Sequence, residues 1–186
     1  MKLITLKILL EQYQYSSTQF DLPPTEAEKV KSFGRSIPDD IIYLKPYDNS
    51  FGRETNPHVT IKYGLHNNNV EPVEEKVKGF GKVKIELGKI SLFTPQEYDV
   101  VKIEVLGDDI FRLNKKIAEL PNAETHPEYN PHITIAYVRK GAGEKYDGDS
   151  EFEGIKLEFD SLTFSNKDSN KELIYIGEKN EISGRT

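Results

Sequence analysis

"NPHVTIKY" at residues 56–63 returns as "NPHITIAY" at residues 130–137. Six of the eight positions agree, and the copies stand 74 positions apart (132 − 58). Both are rich in β-branched and aromatic residues, which suit a pleated, half-buried strand. Side chains of a strand alternate between its faces. Alternation therefore sets His58, Thr60 and Lys62 on one face, with Val59, Ile61 and Tyr63 on the other. In the second copy His132, Thr134 and Ala136 oppose Ile133, Ile135 and Tyr137. The apolar set is expected under a helix, with Tyr63 and Tyr137 in the core. The His–Thr set is the chemical face. Pro57 and Pro131 suit the start of a strand, where a missing N–H costs least, and they hold Asn56 and Asn130 extended. The two asparagines read as turn caps.

Working outward, "YQYSSTQFDLP" (13–23) reads as a strand ended by two prolines. Thr25 with Glu28 forms a capping box for a helix that stops near Gly34. Residues 38–57 hold three prolines and little periodicity, which predicts a long loop of the kind that often carries function. Residues 71–81 predict a short helix. Residues 82–93 and 98–107 alternate at period two and predict a hairpin around "TPQE". Ile110, Leu113, Ile117 and Leu120 share one face of a helix over 108–120. Residues 139–151 are a Gly-rich polar excursion without the strand–Gly–helix context of a phosphate loop. Residues 154–165 and 171–178 read as closing strands, and 179–186 as a flexible tail. Strand, helix, loop and octapeptide strand thus occur twice, over about 13–64 and 98–138. This predicts one α+β domain spanning 1–186, with two lobes related by an approximate two-fold axis. Each lobe should have an antiparallel sheet with outer helices, and the lobes should flank a central cleft.

The composition narrows the chemistry. A net charge of −6 argues against broad binding to duplex nucleic acid, which needs a basic face. The absence of cysteine excludes disulfides, thiolate nucleophiles and cysteine-bound zinc, and suits a cytoplasmic protein. The apolar run near the N-terminus is too short to span a bilayer. No membrane partner is expected, and the chain should be a monomer or weak oligomer.

If the two octapeptides lie side by side, two histidines face each other across a cleft, each with a threonine beside it. Histidine is the side chain whose ordinary pKa lies near neutrality. A neutral imidazole can take a proton from an attacking oxygen while an imidazolium gives one to a leaving oxygen. The threonine hydroxyls can donate to the non-bridging oxygens of a phosphate. Catalytic candidates are therefore His58, Thr60, His132 and Thr134, with no metal or cofactor. Lys62, on the same face, is a candidate phosphate contact. Tyr15, Phe93 and Tyr98 are candidates to stack on a base. His66 and His126 read as surface loop residues, since no carboxylate is spaced to complete a metal site with them.

Paired His-x-Thr-x strands about 70–80 residues apart resemble the 2H phosphoesterase superfamily, which includes 2′-5′ RNA ligase-like proteins and cyclic phosphodiesterases. The resemblance spans roughly 13–178. It implies a bilobal fold, an acid–base pair in His58 and His132, phosphate binding by Thr60 and Thr134, and an aromatic at Phe93 near the ligand. The implied substrate is a small nucleotide, a cyclic oligonucleotide or an RNA 2′,3′-cyclic or 2′-5′ end. "YSSTQFDLP" and "PHVTIKYGLH" further resemble small 2H proteins of phage genomes. One branch of these degrades the cyclic oligonucleotide signals of the CBASS defence system, which would place the chain in a host cytoplasm. The rival reading is a non-catalytic module that binds a nucleotide or RNA end in the same cleft.

Overall fold

The computed structural model describes residues 15–123 and 128–177. The apolar N-terminal run, His126 and the expected tail lie outside them. The elements in chain order are β1 (Ser16–Asp21), α1 (Pro24–Ser36), β2 (His58–Leu65), α2 (Glu71–Val77), β3 (Val83–Phe93), β4 (Tyr98–Leu106), α3 (Asp108–Ile117), β5 (His132–Arg139), β6 (Lys156–Phe159), β7 (Ser161–Ser165) and β8 (Lys171–Tyr175). The mixed α+β architecture and the β3–β4 hairpin follow the sequence reading. Among the described residues no helix is long and apolar enough to cross a membrane.

The strands form a single antiparallel sheet in the order β6-β3-β4-β5-β2-β1-β7-β8. The expectation of two separate sheets is corrected here. Four strands lie on each side of the centre, where the two octapeptide strands meet. They meet through one residue pair, Val59 opposite Ile133. The sheet is also strongly curled. β6 and β7 lie first and seventh in its order, yet only Asp160 separates them in the chain. The run expected as one closing strand over 154–165 is therefore split at Asp160, its first half pairing with β3 and its second with β1. The Asp160 carbonyl accepts the amides of Ile176 (2.8 Å) and Gly177 (3.2 Å) at this seam. Phe20 of β1 stacks on Phe159 of β6 at 4.4 Å between ring centres.

One face of the sheet is apolar and covered. Val59, Ile61, Ile103, Val101, Ile133 and Ala136 are fully buried. On α3, Ile110, Leu113 and Ile117 form a buried stripe, but the helix ends at Ile117, so Leu120, expected on the same face, lies beyond it and is only half-buried. α3 packs against β2 and β3, while α1 packs against β5. Each helix thus backs the octapeptide strand of the other repeat. Gly34 lies at this contact, where an added Cβ would sit 3.5 Å from the Ile135 carbonyl oxygen, an ordinary van der Waals distance. The expected capping box is not formed. α1 begins at Pro24, no side chain caps its first turn, and it runs through Gly34 to Ser36. Glu28 pairs instead with Arg35 at 2.6 Å and Lys31 at 3.1 Å. A proline at the first helical position is pre-set for the helix and needs no donor there, so the N-cap is Pro23, two residues before Thr25.

Past the Val59–Ile133 pair the two strands are held apart by chain. Segment 42–54, within the long loop, pairs with β5: Tyr137 N donates to Gly52 O (2.8 Å), Glu54 N to Ile135 O (2.9 Å) and Tyr43 N to Tyr137 O (2.9 Å). Segment 121–123 does the same for β2, with Ala123 N donating to Gly64 O (2.8 Å) and His66 N to Pro121 O (3.0 Å). The loop before each octapeptide therefore pairs with the chain that carries the other octapeptide, whose backbone polar groups would otherwise be orphaned. Gly64 makes this approach possible. Its φ of +92° lies in the left-handed region, and an added Cβ would collide with the Ala123 carbonyl. Gly64→Ala should cost about 2–4 kcal/mol in a urea melt, against about 1 kcal/mol for Gly79→Ala, which has a positive φ but open space around it. Equal costs would contradict the close packing of the 121–123 segment on β2.

Candidate active site

The pairing of Val59 with Ile133 decides the site. In an antiparallel pair the residues on either side of an opposed pair are themselves opposed, so His58 is set against Thr134, and Thr60 against His132. Directly opposed Cβ atoms lie about 4.5–5.5 Å apart and diagonal ones about 7–8 Å. The two histidines are on the diagonal, a spacing that leaves room for one phosphate between them. All four side chains are half-buried, on the face opposite the helices.

Both imidazoles are oriented in the same way. His58 Nδ1 lies 2.8 Å from the carbonyl oxygen of Asn56, and His132 Nδ1 lies 2.7 Å from that of Asn130. A carbonyl oxygen only accepts, so each Nδ1 carries the hydrogen, which leaves Nε2 as the basic nitrogen of the neutral ring. Toward the histidines the asparagines act through their backbone carbonyls rather than as turn caps, and the Asn56 side chain also donates to Asp21 Oδ1 at 3.3 Å. The prolines are tied in alike: Leu22 N donates to Pro57 O (3.1 Å) and Val105 N to Pro131 O (3.2 Å).

The flanking strands complete the face. Across from His58 and Thr60 on β1 stand Asp21 and Gln19, and across from His132 and Thr134 on β4 stand Glu104 and Lys102. Each histidine thus has a carboxylate on the neighbouring strand. Burial raises the Asp21 carboxyl, but hydrogen bonds from Thr163 (2.7 Å) and Gln19 (2.5 Å), with the charges of Lys171 and His58, outweigh it and hold the group below the usual carboxylate range. Gln19 and Lys102 occupy equivalent places, so a cation on one side answers a neutral amide on the other. Lys102 is only 7% exposed. Its ammonium donates to Ser91 Oγ at 2.6 Å and lies 4.3 Å from the centre of the Phe93 ring. Burial pushes the Lys102 pKa down, partly offset by Glu104 and Asp147. Phe93 in turn meets the His132 ring edge to face at 4.9 Å.

Strict alternation fails at one position in each octapeptide. Gln19 opposes Thr60 and Thr18 opposes Lys62, so Ile61 is an extra residue in β2. Likewise Lys102 opposes Thr134 and Val101 opposes Ala136, so Ile135 is extra in β5. These β-bulges reverse the faces that follow. Lys62 is thereby set on the side of buried Thr18, away from the histidines, which corrects its expected place on the chemical face. Tyr63, opposite Ser17, and Tyr137, opposite Val100, move onto the histidine face rather than into the core.

Of the other residues singled out by sequence, Phe93 is brought against His132. Tyr15 and Tyr98 share the histidine face but lie at its two ends, Tyr15 with Tyr63 and His66, and Tyr98 with Tyr43, Phe51 and Tyr137. Among the described residues no group of three or more His, Asp or Glu side chains could hold a metal ion. Sequence reasoning missed Lys102, Glu104, Asp21 and Gln19. The signal was present: Lys102 and Glu104 alternate with buried aliphatics in "VVKIEV", and Gln19 and Asp21 alternate with Phe20. Only the strand order shows which octapeptide each pair flanks.

No protein-family description matches the sequence, and no curated protein does. Solved structures do match. TT0787 of Thermus thermophilus is 12% identical with a TM-score of 0.55, over 88% of this chain and 99% of that one. Escherichia coli LigT complexed with NADP+ is 14% identical with a TM-score of 0.55, over 87% and 94%. Kluyveromyces marxianus Usb1 is 10% identical with a TM-score of 0.54, over 88% and 98%. LigT has also been solved with phosphate and with 3′-AMP, and Usb1 with uridine monophosphate. At these identities the shared property is the fold: the chain has the fold of the 2H phosphoesterases.

Proposed function

We propose that the cleft cleaves phosphodiesters by general acid–base catalysis between His58 and His132. The observation that carries this is the twinned geometry: one opposed residue pair between the strands, and a carbonyl on each Nδ1 at 2.8 and 2.7 Å. A phosphate between the strands has one Nε2 on each side. The neutral imidazole takes the proton of the attacking oxygen, a water or a ribose hydroxyl, as the new P–O bond forms. The imidazolium gives its proton to the oxygen leaving as the old P–O bond breaks. Thr60 and Thr134 donate to the non-bridging oxygens, where negative charge grows. Lys102 adds a positive charge to the Thr134 side and Phe93 holds the His132 ring in place. The near-symmetry lets either histidine serve as base, according to which way the substrate lies.

The substrate is a phosphodiester of nucleotides: an RNA 2′,3′-cyclic or 2′-5′ end, a small cyclic nucleotide or a cyclic oligonucleotide. Cyclic oligonucleotide signals of the CBASS system fall in the last group, and a phage-encoded enzyme of this kind would act in the host cytoplasm. The nucleotide complexes of LigT and Usb1, which share the fold, support a nucleotide in this cleft.

The test is a panel of these substrates offered in the presence of EDTA. Cleavage of at least one is expected. His58→Ala and His132→Ala should each slow it by about 10²–10⁴-fold with unchanged melting. A near-full rate in either variant would contradict the acid–base pair, and binding without any cleavage would favour the non-catalytic module. The pH–rate curve of the parent protein should be bell-shaped, one limb from the group that must be deprotonated and one from the group that must be protonated.

Lys102→Met keeps much of the buried stem and removes the charge. We expect it to lower kcat/KM by about 10²-fold, the order seen when one stabilising group is lost, without lowering the melting temperature. An unchanged kcat/KM would make Lys102 a packing residue only.

A further inference from the structure

The repeat extends beyond the octapeptides. β2 maps onto β5 by a shift of 74 positions (132 − 58), and β1 maps onto β4 by a shift of 83 (102 − 19). The second shift carries Asp21 to Glu104 and Leu22 to Val105, in agreement with their matching contacts. It also carries Tyr15 to Tyr98, while the first carries Tyr63 to Tyr137. The four tyrosines are therefore two equivalent pairs, and each pair is in contact. The Tyr15 and Tyr63 rings lie 6.0 Å apart at 79°, and the Tyr98 and Tyr137 rings 5.6 Å apart at 66°.

Because the strands are antiparallel, the pairs stand at opposite ends of the histidine face. Tyr63 and Tyr137 each lie three positions past their motif threonine, about 10 Å along the strand. That is the direction in which a nucleoside would extend from a phosphate held by the threonines. All four rings are half-buried on the face opposite the helices. Each pair is built up further by its own surroundings. His66 stacks on Tyr15 at 5.6 Å and 26°, and Phe51 packs on Tyr98 and Tyr137 at 5.2 and 5.1 Å. Beside Tyr137 a cavity of about 590 Å³ is lined by Phe51 together with the polar side chains of Asn49 and Thr55. Simple core filling does not account for the same pair at both ends. The repeats have otherwise diverged: Gln19 answers Lys102, and Lys62 answers Ala136.

Resting on the phosphodiesterase reading of the cleft, we propose that it grips two nucleosides at once, one base on each tyrosine pair, with the scissile phosphate between the histidines. The substrate class is then a phosphodiester that joins two nucleosides, in a linear or cyclic oligonucleotide, rather than a mononucleoside cyclic phosphate. Stacking of a base on an aromatic side chain is tolerant of base identity and substantial per base, so two such sites add directly to the hold on the phosphate.

Calorimetric binding tests this without relying on turnover. The probes are the 3′-5′ dinucleotide of deoxyadenosine and the 2′-5′ dinucleotide of 3′-deoxyadenosine, which lack the attacking hydroxyl, and deoxyadenosine 3′-monophosphate. One dinucleotide should bind at least about ten-fold more tightly than the mononucleotide. Tyr63→Leu and Tyr137→Leu should each weaken that dinucleotide by about ten-fold, while Tyr63→Phe and Tyr137→Phe should retain it. Mononucleotide affinity should fall in no more than one of the two leucine variants. Neither dinucleotide binding more tightly than the mononucleotide, or a leucine variant that folds and binds as the parent does, would overturn the proposal. Failure of the catalytic reading has a separate signature: this binding pattern intact, with no substrate cleaved.

Discussion

Everything on the histidine face depends on the pairing of Val59 with Ile133. Both side chains are fully buried on the helix-covered face, and each such burial contributes about 1.5–3 kcal/mol. The larger effect is geometric. Antiparallel pairing carries a local two-fold axis through its opposed residues, and here the axis passes through the middle position of both His-x-Thr motifs. It fixes two histidines on a diagonal and two threonines on the other. A slip of one residue would turn one motif's His–Thr face into the core, so the buried aliphatics hold the register.

The same pairing has to stop almost as soon as it starts. Continued pairing of β2 with β5 would close the sheet centre and leave the loops before the octapeptides without partners. Instead each loop pairs with the other strand's free edge, and each helix backs the other repeat's strand. The two halves of the sheet are thus interlocked through crossed contacts although their central strands share a single residue pair. The bulges at Ile61 and Ile135 sit where this divergence begins, and they swing Tyr63 and Tyr137 to the histidine side.

Much of this was legible in the sequence. The doubled octapeptide located both central strands and named the face bearing His58, Thr60, His132 and Thr134. The stripe of Ile110, Leu113 and Ile117 located α3. What failed did so for identifiable reasons. A β-bulge at an isoleucine has no compositional mark, so alternation misplaced Lys62, Tyr63 and Tyr137. Thr25 and Glu28 spell a capping box, but Pro24 already starts the helix. The run 154–165 looks like one strand because its pattern is continuous; the split at Asp160 follows from the curl of the sheet, a non-local property. Two sheets were expected because one residue pair is too small a junction to read from pattern. Lys102 and Glu104 were visible as charges in an apolar strand, yet their place beside Thr134 and His132 needed the strand order.

The symmetry is broken by charge. Lys102 answers Gln19, and its ammonium reaches His132 through the Phe93 ring, whereas His58 has hydrogen-bonded Asp21 beside it. A symmetric scaffold thereby presents an asymmetric field to whatever lies in it. The central claim, that one opposed residue pair sets two histidines on either side of a single phosphorus atom, is tested most directly by a crystal structure with bound vanadate or a non-cleavable phosphodiester. The account predicts both Nε2 atoms within hydrogen-bonding distance of oxygens on opposite sides of that atom, with Thr60 and Thr134 on the remaining oxygens. An anion held by one histidine alone, or bound away from both, would contradict it.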